Sequence, residues 1–253
     1  MSLLEVKDLS IHFGGVKAVQ NVSFCIDAGM VYAVIGPNGA GKTTLFNLIT
    51  GIYTPTSGDI LLDGQSIAGK SPDILAQRGV ARTFQNLQIC MNMTAIENVM
   101  VGAHLRLDRN FLKAALRWPS LKQKDRDLQA EATELMHFVG LQDYVQTRAD
   151  SMPYGALKRL EIARALAMKP RLIFLDEPAA GLNPKETLEV DALVRKVADS
   201  GVTVVLVEHD MKMVMNLSER ILVLDYGKKL AEGSAEEVRR NPDVIAAYLG
   251  AHA

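Results

Sequence analysis

One nine-residue stretch constrains this chain more than any other: Gly36-Pro37-Asn38-Gly39-Ala40-Gly41-Lys42-Thr43-Thr44, directly after the apolar run 31–35. It fits the pattern G-x-x-x-x-G-K-[ST], and each part has a chemical reason. Glycines let successive backbone N–H groups curl around a phosphate chain. Residues 44–50 are expected to form a helix whose positive N-terminal end faces those phosphates. Lys42 would reach the β- and γ-phosphates, and the Thr43 hydroxyl would take a Mg²⁺ coordination position. A strand before the loop and a helix after it is the context that separates a phosphate loop from an ordinary glycine-rich turn.

The 253 residues fit one large domain, or one core with a smaller subdomain, and can bury a sizeable core. A net charge of −1 argues against a globally basic nucleic-acid binder. Cys25 and Cys90 stand far apart in apolar surroundings, with neither metal spacing nor a disulfide framework, and are expected to be packed thiols. The start Met1-Ser2-Leu3-Leu4-Glu5 has no basic and apolar leader pattern. No apolar run approaches the roughly 20 residues of a membrane span, so a soluble chain is expected.

Along the chain, residues 3–6, 22–26 and 60–62 are short apolar or alternating segments between turn signals such as Gly14-Gly15 and Asp63-Gly64. From about Met93 to Ala167 the pattern is helical, with apolar residues at helical spacing over 95–100 and 128–138. The last third alternates: strand 172–175, helix 184–198, strand 202–207, helix 211–217, strand 221–224. Such alternation predicts a parallel sheet covered by helices. Between His104 and Arg126 stand seven Lys or Arg against two acids, Asp108 and Asp125. This stretch reads as a solvated helical excursion, or as a surface for anionic headgroups or a partner.

A second constellation narrows the chemistry. The run Arg171-Leu172-Ile173-Phe174-Leu175-Asp176-Glu177-Pro178 is a buried strand ending in two carboxylates. Asp176 is placed to serve the Mg²⁺ shell, and Glu177 to polarise the water that attacks a γ-phosphate. His209, two residues beyond the strand 202–207, falls on the rim where ligands bind in such sheets. Gln85, in Arg82-Thr83-Phe84-Gln85-Asn86, is a further candidate, and Phe13 reads either as an adenine-stacking ring or as core.

Together these residues resemble the nucleotide-binding subunit of ATP-binding cassette transporters, over nearly the whole chain. The order is Phe13 for the adenine, 36–44 for the Walker A loop, Gln85, the Tyr154-Gly155 signature, Asp176 with Glu177, the loop 181–183 and the switch histidine His209. Within that family, Pro153-Tyr154-Gly155 with Arg159-Leu160-Glu161-Ile162-Ala163-Arg164, the run Glu177-Pro178-Ala179-Ala180-Gly181-Leu182-Asn183-Pro184 and the tail to Ala247-Tyr248-Leu249-Gly250 are similar to branched-chain amino acid import ATPases. The resemblance implies an α/β fold of P-loop NTPase type with a mixed sheet, an N-terminal antiparallel β subdomain and a helical subdomain. It implies a single cassette over 1–253, with 1–86 and 168–253 as the core and 87–167 as the helical subdomain.

It also implies ATP hydrolysis with Mg²⁺. Lys42, Glu177 and His209 would be catalytic. ATP would be held by Phe13, Gly36, Pro37, Asn38, Gly39, Ala40, Gly41, Lys42, Thr43, Thr44, Gln85, Tyr154 and Gly155. The metal would be held by Thr43, Gln85 and Asp176. Partners would be a second ATPase subunit (the same chain or a sister), two transmembrane permeases and, indirectly, a solute-binding protein, with no nucleic acid. The location would be peripheral, on the cytoplasmic face of the membrane. Alternatives are a urea or amide importer, lipopolysaccharide export, a cassette ATPase acting on ribosomes or DNA, and a nucleotide binder without turnover. One departure stands out: where the family's usual signature is Leu-Ser-Gly-Gly-Gln, this chain has Met152-Pro153-Tyr154-Gly155-Ala156. Pro153 offers neither hydroxyl nor N–H, so this half is expected to grip phosphate more weakly.

Overall fold

The computed structural model describes residues 2–106 and 119–250. Two long strands, β1 (Ser2–Phe13) and β2 (Val16–Asp27), form a hairpin across the Gly14-Gly15 turn. With β4 (Ser57–Leu62) and β5 (Gln65–Ser66) they make an antiparallel sheet in the order β2-β1-β4-β5. The second sheet is mixed. Its order is β10-β9-β3-β8-β7-β6, built from β3 (Val31–Ile35), β6 (Val80–Arg82), β7 (Leu172–Asp176), β8 (Thr203–Val207), β9 (Arg220–Asp225) and β10 (Lys228–Gly233). All its pairings are parallel except the β9–β10 hairpin.

The central strands are short, largely apolar runs buried along their whole length, as parallel strands covered by other layers must be. Their alternate side chains feed two different cores. Leu172, Phe174, Val205 and Val207 pack toward the antiparallel sheet and helix α1 (Lys42–Ile49). Ile173, Leu175, Val204 and Leu206 pack on the opposite side, with α3 (Ala95–Gly102), α5 (Tyr154–Leu166) and α6 (Pro184–Asp199). Between α3 and α5 lies α4 (Pro119–Phe138). The short α2 (Pro72–Gln77) precedes β6, α7 (Met211–Leu217) follows β8, and α8 (Ala235–Arg240) and α9 (Pro242–Gly250) close the chain.

Helix starts follow local chemistry. Thr94, Asn183 and Ser234 each form a reciprocal capping box with the glutamate three residues on, Glu97, Glu186 and Glu237. Helix α5 differs: its N-cap is Pro153, which makes no side-chain cap bond. Among the described residues no helix is long and apolar enough to cross a membrane.

Two expectations need correction. Cys25 is not packed away: it lies on the outward side of β2 and is exposed, while Cys90 is half-buried. The strands β1 and β2 are also two to three times as long as their apolar cores predict, and the reason is bulging. Register shifts interrupt the β1–β2 pairing four times, breaking the inside-outside alternation that marks a strand in sequence. Most of the basic excursion, residues 107–118, lies outside the described residues; Arg106, at its start, pairs with Glu131 at 2.8 Å.

Candidate functional site

The parallel register gathers the site at one edge of the mixed sheet. Val34 and Asp176 both pair with Val207, so β3, β7 and β8 end side by side. Each strand's exit therefore delivers a different group to the same edge: the glycine loop, Glu177 and His209. This edge lies beyond the carboxyl ends of the strands, where open α/β sheets bind ligands.

The loop is shaped by close backbone approach. Gly41 has φ +99°, and a Cβ there would stand 2.7 Å from the Ala18 carbonyl oxygen; at Gly36 a Cβ would collide with the carbonyl of Leu224. Only glycine fits where the loop threads between β2 and β9. The β9–β10 turn then locks it: the Gly227 amide donates to Ala40 O at 3.0 Å, and the Gln20 amide donates to Gly227 O at 2.7 Å. Helix α1 starts at Lys42 with no side-chain cap, which leaves its first-turn N–H groups facing the cleft as an anion cradle. Lys42 is buried, and its ammonium donates to Gly36 O at 2.7 Å and Pro37 O at 3.0 Å. Burial lowers its pKa, with the Glu177 and Asp176 carboxylates opposing the shift.

Glu177 carries the densest polar contacts. Its Oε1 lies 3.0 Å from His209 Nε2, and Gln85 Nε2 donates to its Oε2 at 2.9 Å. Its backbone is left-handed, φ 49°, a conformation that costs a non-glycine residue and persists only when its surroundings enforce it. Enforcement comes from the Glu177 amide donating to Val207 O at 2.9 Å and the Ala180 amide donating to Glu177 O at 3.1 Å. Beside it, the buried Glu208 accepts from the amides of Ala179 (2.7 Å) and His209 (3.0 Å), tying the loop after β7 to the segment holding His209. Burial raises the Glu208 pKa, and those amide bonds partly offset the rise.

These groups border one open cleft of about 650 Å³, walled by residues 15–18, 38–44, Gln85, Glu177, His209 and the turn at Tyr226 and Gly227. Asn38, Gly39, Ala40, Gly41, Lys42, Thr43 and Thr44 thus line it, while Gly36 and Pro37 lie behind as the anchors of Lys42. Phe13 is not in the wall. It is half-exposed at the end of β1, with its ring edge-on to Tyr53 at 5.2 Å. Tyr154 and Gly155 also stand away from the cleft, at the start of α5. Tyr154 is exposed and abuts Gly181, and Gly155 sits so close to Glu186 that a Cβ would meet its carboxylate at 2.5 Å.

Asp176 is buried behind Glu177 and paired with Arg82 at 2.9 Å. Sequence reasoning missed Arg82, and it missed the grip that α5 has on the Gln85 loop. Lys158, buried, donates to the carbonyls of Gln85 (3.3 Å) and Glu177 (3.4 Å). Glu161, also buried, accepts from the amides of Phe84 (3.5 Å) and Gln88 (3.3 Å), and Arg164 donates to Gln88 O. Spacing of three along a helix was the available signal for these side chains.

The donor set suits Mg²⁺. Among the described residues no three His, Cys, Asp or Glu cluster as a metal cage. What borders the cleft is hard oxygen from Thr43, Gln85 and Glu177, with Asp176 behind. Mg²⁺ is usually held that way, through one or two carboxylates plus substrate phosphates.

With this geometry in hand, the likenesses to known proteins are specific. Residues 19–180 match the ABC transporter family model, and residues 228–253 match the model described as branched-chain amino acid ATP-binding cassette transporter. The chain is 46% identical over 249 residues to the high-affinity branched-chain amino acid transport ATP-binding protein BraF of Pseudomonas aeruginosa, covering 98% of each. It is 44% identical to LivG of Escherichia coli, of the same description, again over 98% of each. The crystal structure of an ATP-binding cassette of an ABC transporter in its ADP conformation superposes with a TM-score of 0.87, at 30% identity and 99% coverage of both chains.

Proposed function

The chain belongs to the ABC transporter family, and from that premise we propose that it is the ATP-binding subunit of an importer of branched-chain amino acids. It is an ATPase that binds nucleotide. The observation that carries the reading is the convergence of Gln85, Glu177 and His209 beside the phosphate loop, together with identity that runs the full length of two branched-chain amino acid transport proteins.

In the proposed mechanism, ATP lies along the cleft with its phosphates against the amides of residues 39–44. Lys42 exchanges the Gly36 and Pro37 carbonyls for the β- and γ-phosphates, which it meets as a desolvated point charge. Thr43, Gln85 and the Asp176 carboxylate would hold Mg²⁺, which when bound would neutralise charge on the phosphates. Glu177 orients the attacking water and accepts its proton; His209, on the other side of that carboxylate, stabilises charge on the γ-phosphate. Phe13, next to the wall at Val16, is assigned to the adenine.

Tyr154 and Gly155 do not meet this chain's own cleft, which supports their use against the ATP of a second ATPase subunit, whether the same chain or a sister. Closure of the two halves would complete the site and exclude water. The cassette would act beneath two permeases on the cytoplasmic face of the membrane, served by an external solute-binding protein. The division into a core (1–86 and 168–253) and a helical part (87–167) gives that movement its two bodies. Affinity capture from membranes with this chain as bait tests the reading: two permeases and a second ATPase are expected, and recovery of ribosomes or DNA in their place would overturn it.

A further inference from the structure

Arg82 ends an edge strand, a position where a cation is ordinarily solvated. Here its side chain is only 8% exposed, and that of Asp176, its partner, 5%. A buried ion pair is favourable only when its remaining donors are also satisfied. Arg82 satisfies most of them by reaching a third element. Nη2 donates to Asp176 Oδ2 at 2.9 Å, while Nη1 donates to Asn47 Oδ1 at 2.7 Å and Thr50 Oγ1 at 2.9 Å, both at the C-terminal end of the phosphate-loop helix. The guanidinium lies over the rings of Phe84 (5.0 Å) and Phe46 (5.8 Å). One planar fork thus joins β7, α1 and the segment that carries Gln85. A lysine, with a single nitrogen, cannot span those partners.

The consequence concerns the carboxylate. Arg82 engages one oxygen of Asp176 and ties it to the same helix that carries Thr43. We propose that Arg82 is a positioning residue for the metal shell, fixing the Asp176 carboxylate relative to Thr43, two of the groups that would hold the ion accompanying the nucleotide. This rests on the reading of Asp176 as a metal-shell residue. Outer partners of metal-holding groups typically carry about 10–100-fold in metal affinity, and Arg82 is of that kind.

The test is a titration of the purified chain with a fluorescent ATP analogue, once in EDTA and once across a Mg²⁺ series. Arg82→Met is expected to raise the Mg²⁺ concentration needed for half-maximal tightening about tenfold or more. Affinity in EDTA should stay within about twofold, which a merely structural role would not guarantee. Arg82→Lys should fall between, and Thr50→Val should shift the Mg²⁺ series in the same direction by less. If Arg82→Met does not fold, these two variants decide. Asp176→Asn is run in parallel. If it shifts the Mg²⁺ series and the Arg82 variants do not, or shift it toward lower Mg²⁺, the role of Arg82 is overturned. If Asp176→Asn itself leaves the series unchanged, the metal reading of Asp176 fails and takes the proposal with it.

Discussion

Glu177 and His209 are joined by a 3.0 Å contact between Oε1 and Nε2, while the other carboxylate oxygen of Glu177 accepts from Gln85. One carboxylate therefore holds two side chains from two different loops, and its own backbone is held in a left-handed conformation. Glu177→Gln preserves size and one acceptor oxygen but removes the base. Nucleotide binding should survive, and ATP turnover in the assembled complex should fall by about 10²–10⁴-fold. Because His209 acts on the same carboxylate, adding His209→Ala to Glu177→Gln should lower turnover far less than it does alone. Steady-state ATPase assays of the two single variants and the double variant check both points; additive losses would separate the two residues.

The N-cap of α5 offers a second prediction. Pro153 has extended backbone, φ −60° and ψ 151°, as an N-cap requires, but no side chain to accept from the first turn. Serine fits the same dihedrals and adds a cap acceptor, so Pro153→Ser should stabilise the chain by roughly 1 kcal/mol, less the entropy proline removes from the unfolded state. In the complex it would also give a partner's phosphate a hydroxyl and an amide. ATPase activity should rise; an unchanged rate with a higher Tm would confine Pro153 to a structural role.

Much of this site was legible because its residue types are constrained by chemistry at fixed spacing. The loop 36–44, Glu177 after an apolar strand, and His209 after the next are each readable alone. Their meeting on one carboxylate is not, since it depends on the parallel register of β3, β7 and β8. Arg82 was hidden for a related reason. Its partners Asn47, Thr50 and Asp176 are 32 to 94 residues away, and a strand of three residues carries no periodic signal. Phe13 was legible only as an alternative between a base-stacking ring and core: it is half-exposed at the end of β1, edge-on to Tyr53, and its strand partner Val16 lines the cleft. Cys25 misled because β2 alternates inward and outward faces within an apolar run.

Glu131, on α4, bridges Arg106 (2.8 Å) and Lys169 (3.0 Å), and these two cations hold its pKa down to about 2. A carboxylate whose folded pKa lies below its unfolded value stabilises the fold above the unfolded pKa and loses that contribution as pH falls through the folded one. Glu131→Gln should therefore destabilise the chain at pH 7, and the difference from the parent should shrink between about pH 4.5 and pH 2. The group is more than a third exposed, so solvent screening keeps the effect to about 1 kcal/mol or less. Urea melts at several pH values check it, provided both chains stay folded at the acid end.

Glu161 makes a contrasting case within the grip of α5 on the Gln85 loop. Its Oε1 accepts from the amides of Phe84 and Gln88, which bracket Gln85. Glu161→Ala leaves both amides without this acceptor, a loss of about 1–3 kcal/mol. Hydrogen exchange should accelerate across residues 84–88, and turnover should fall because Gln85 no longer meets Glu177 from a fixed loop. Glu161→Gln keeps an acceptor oxygen and should restore most of the protection. The two variants should also differ from the parent in pH dependence. Burial raises the Glu161 pKa above its unfolded value, so the native chain binds that proton more tightly and loses stability as pH rises through the interval between them. Glutamine cannot titrate, so the Glu161→Gln chain should lack that part of the slope. Equal slopes with slowed turnover would assign Glu161 to holding the loop and nothing more.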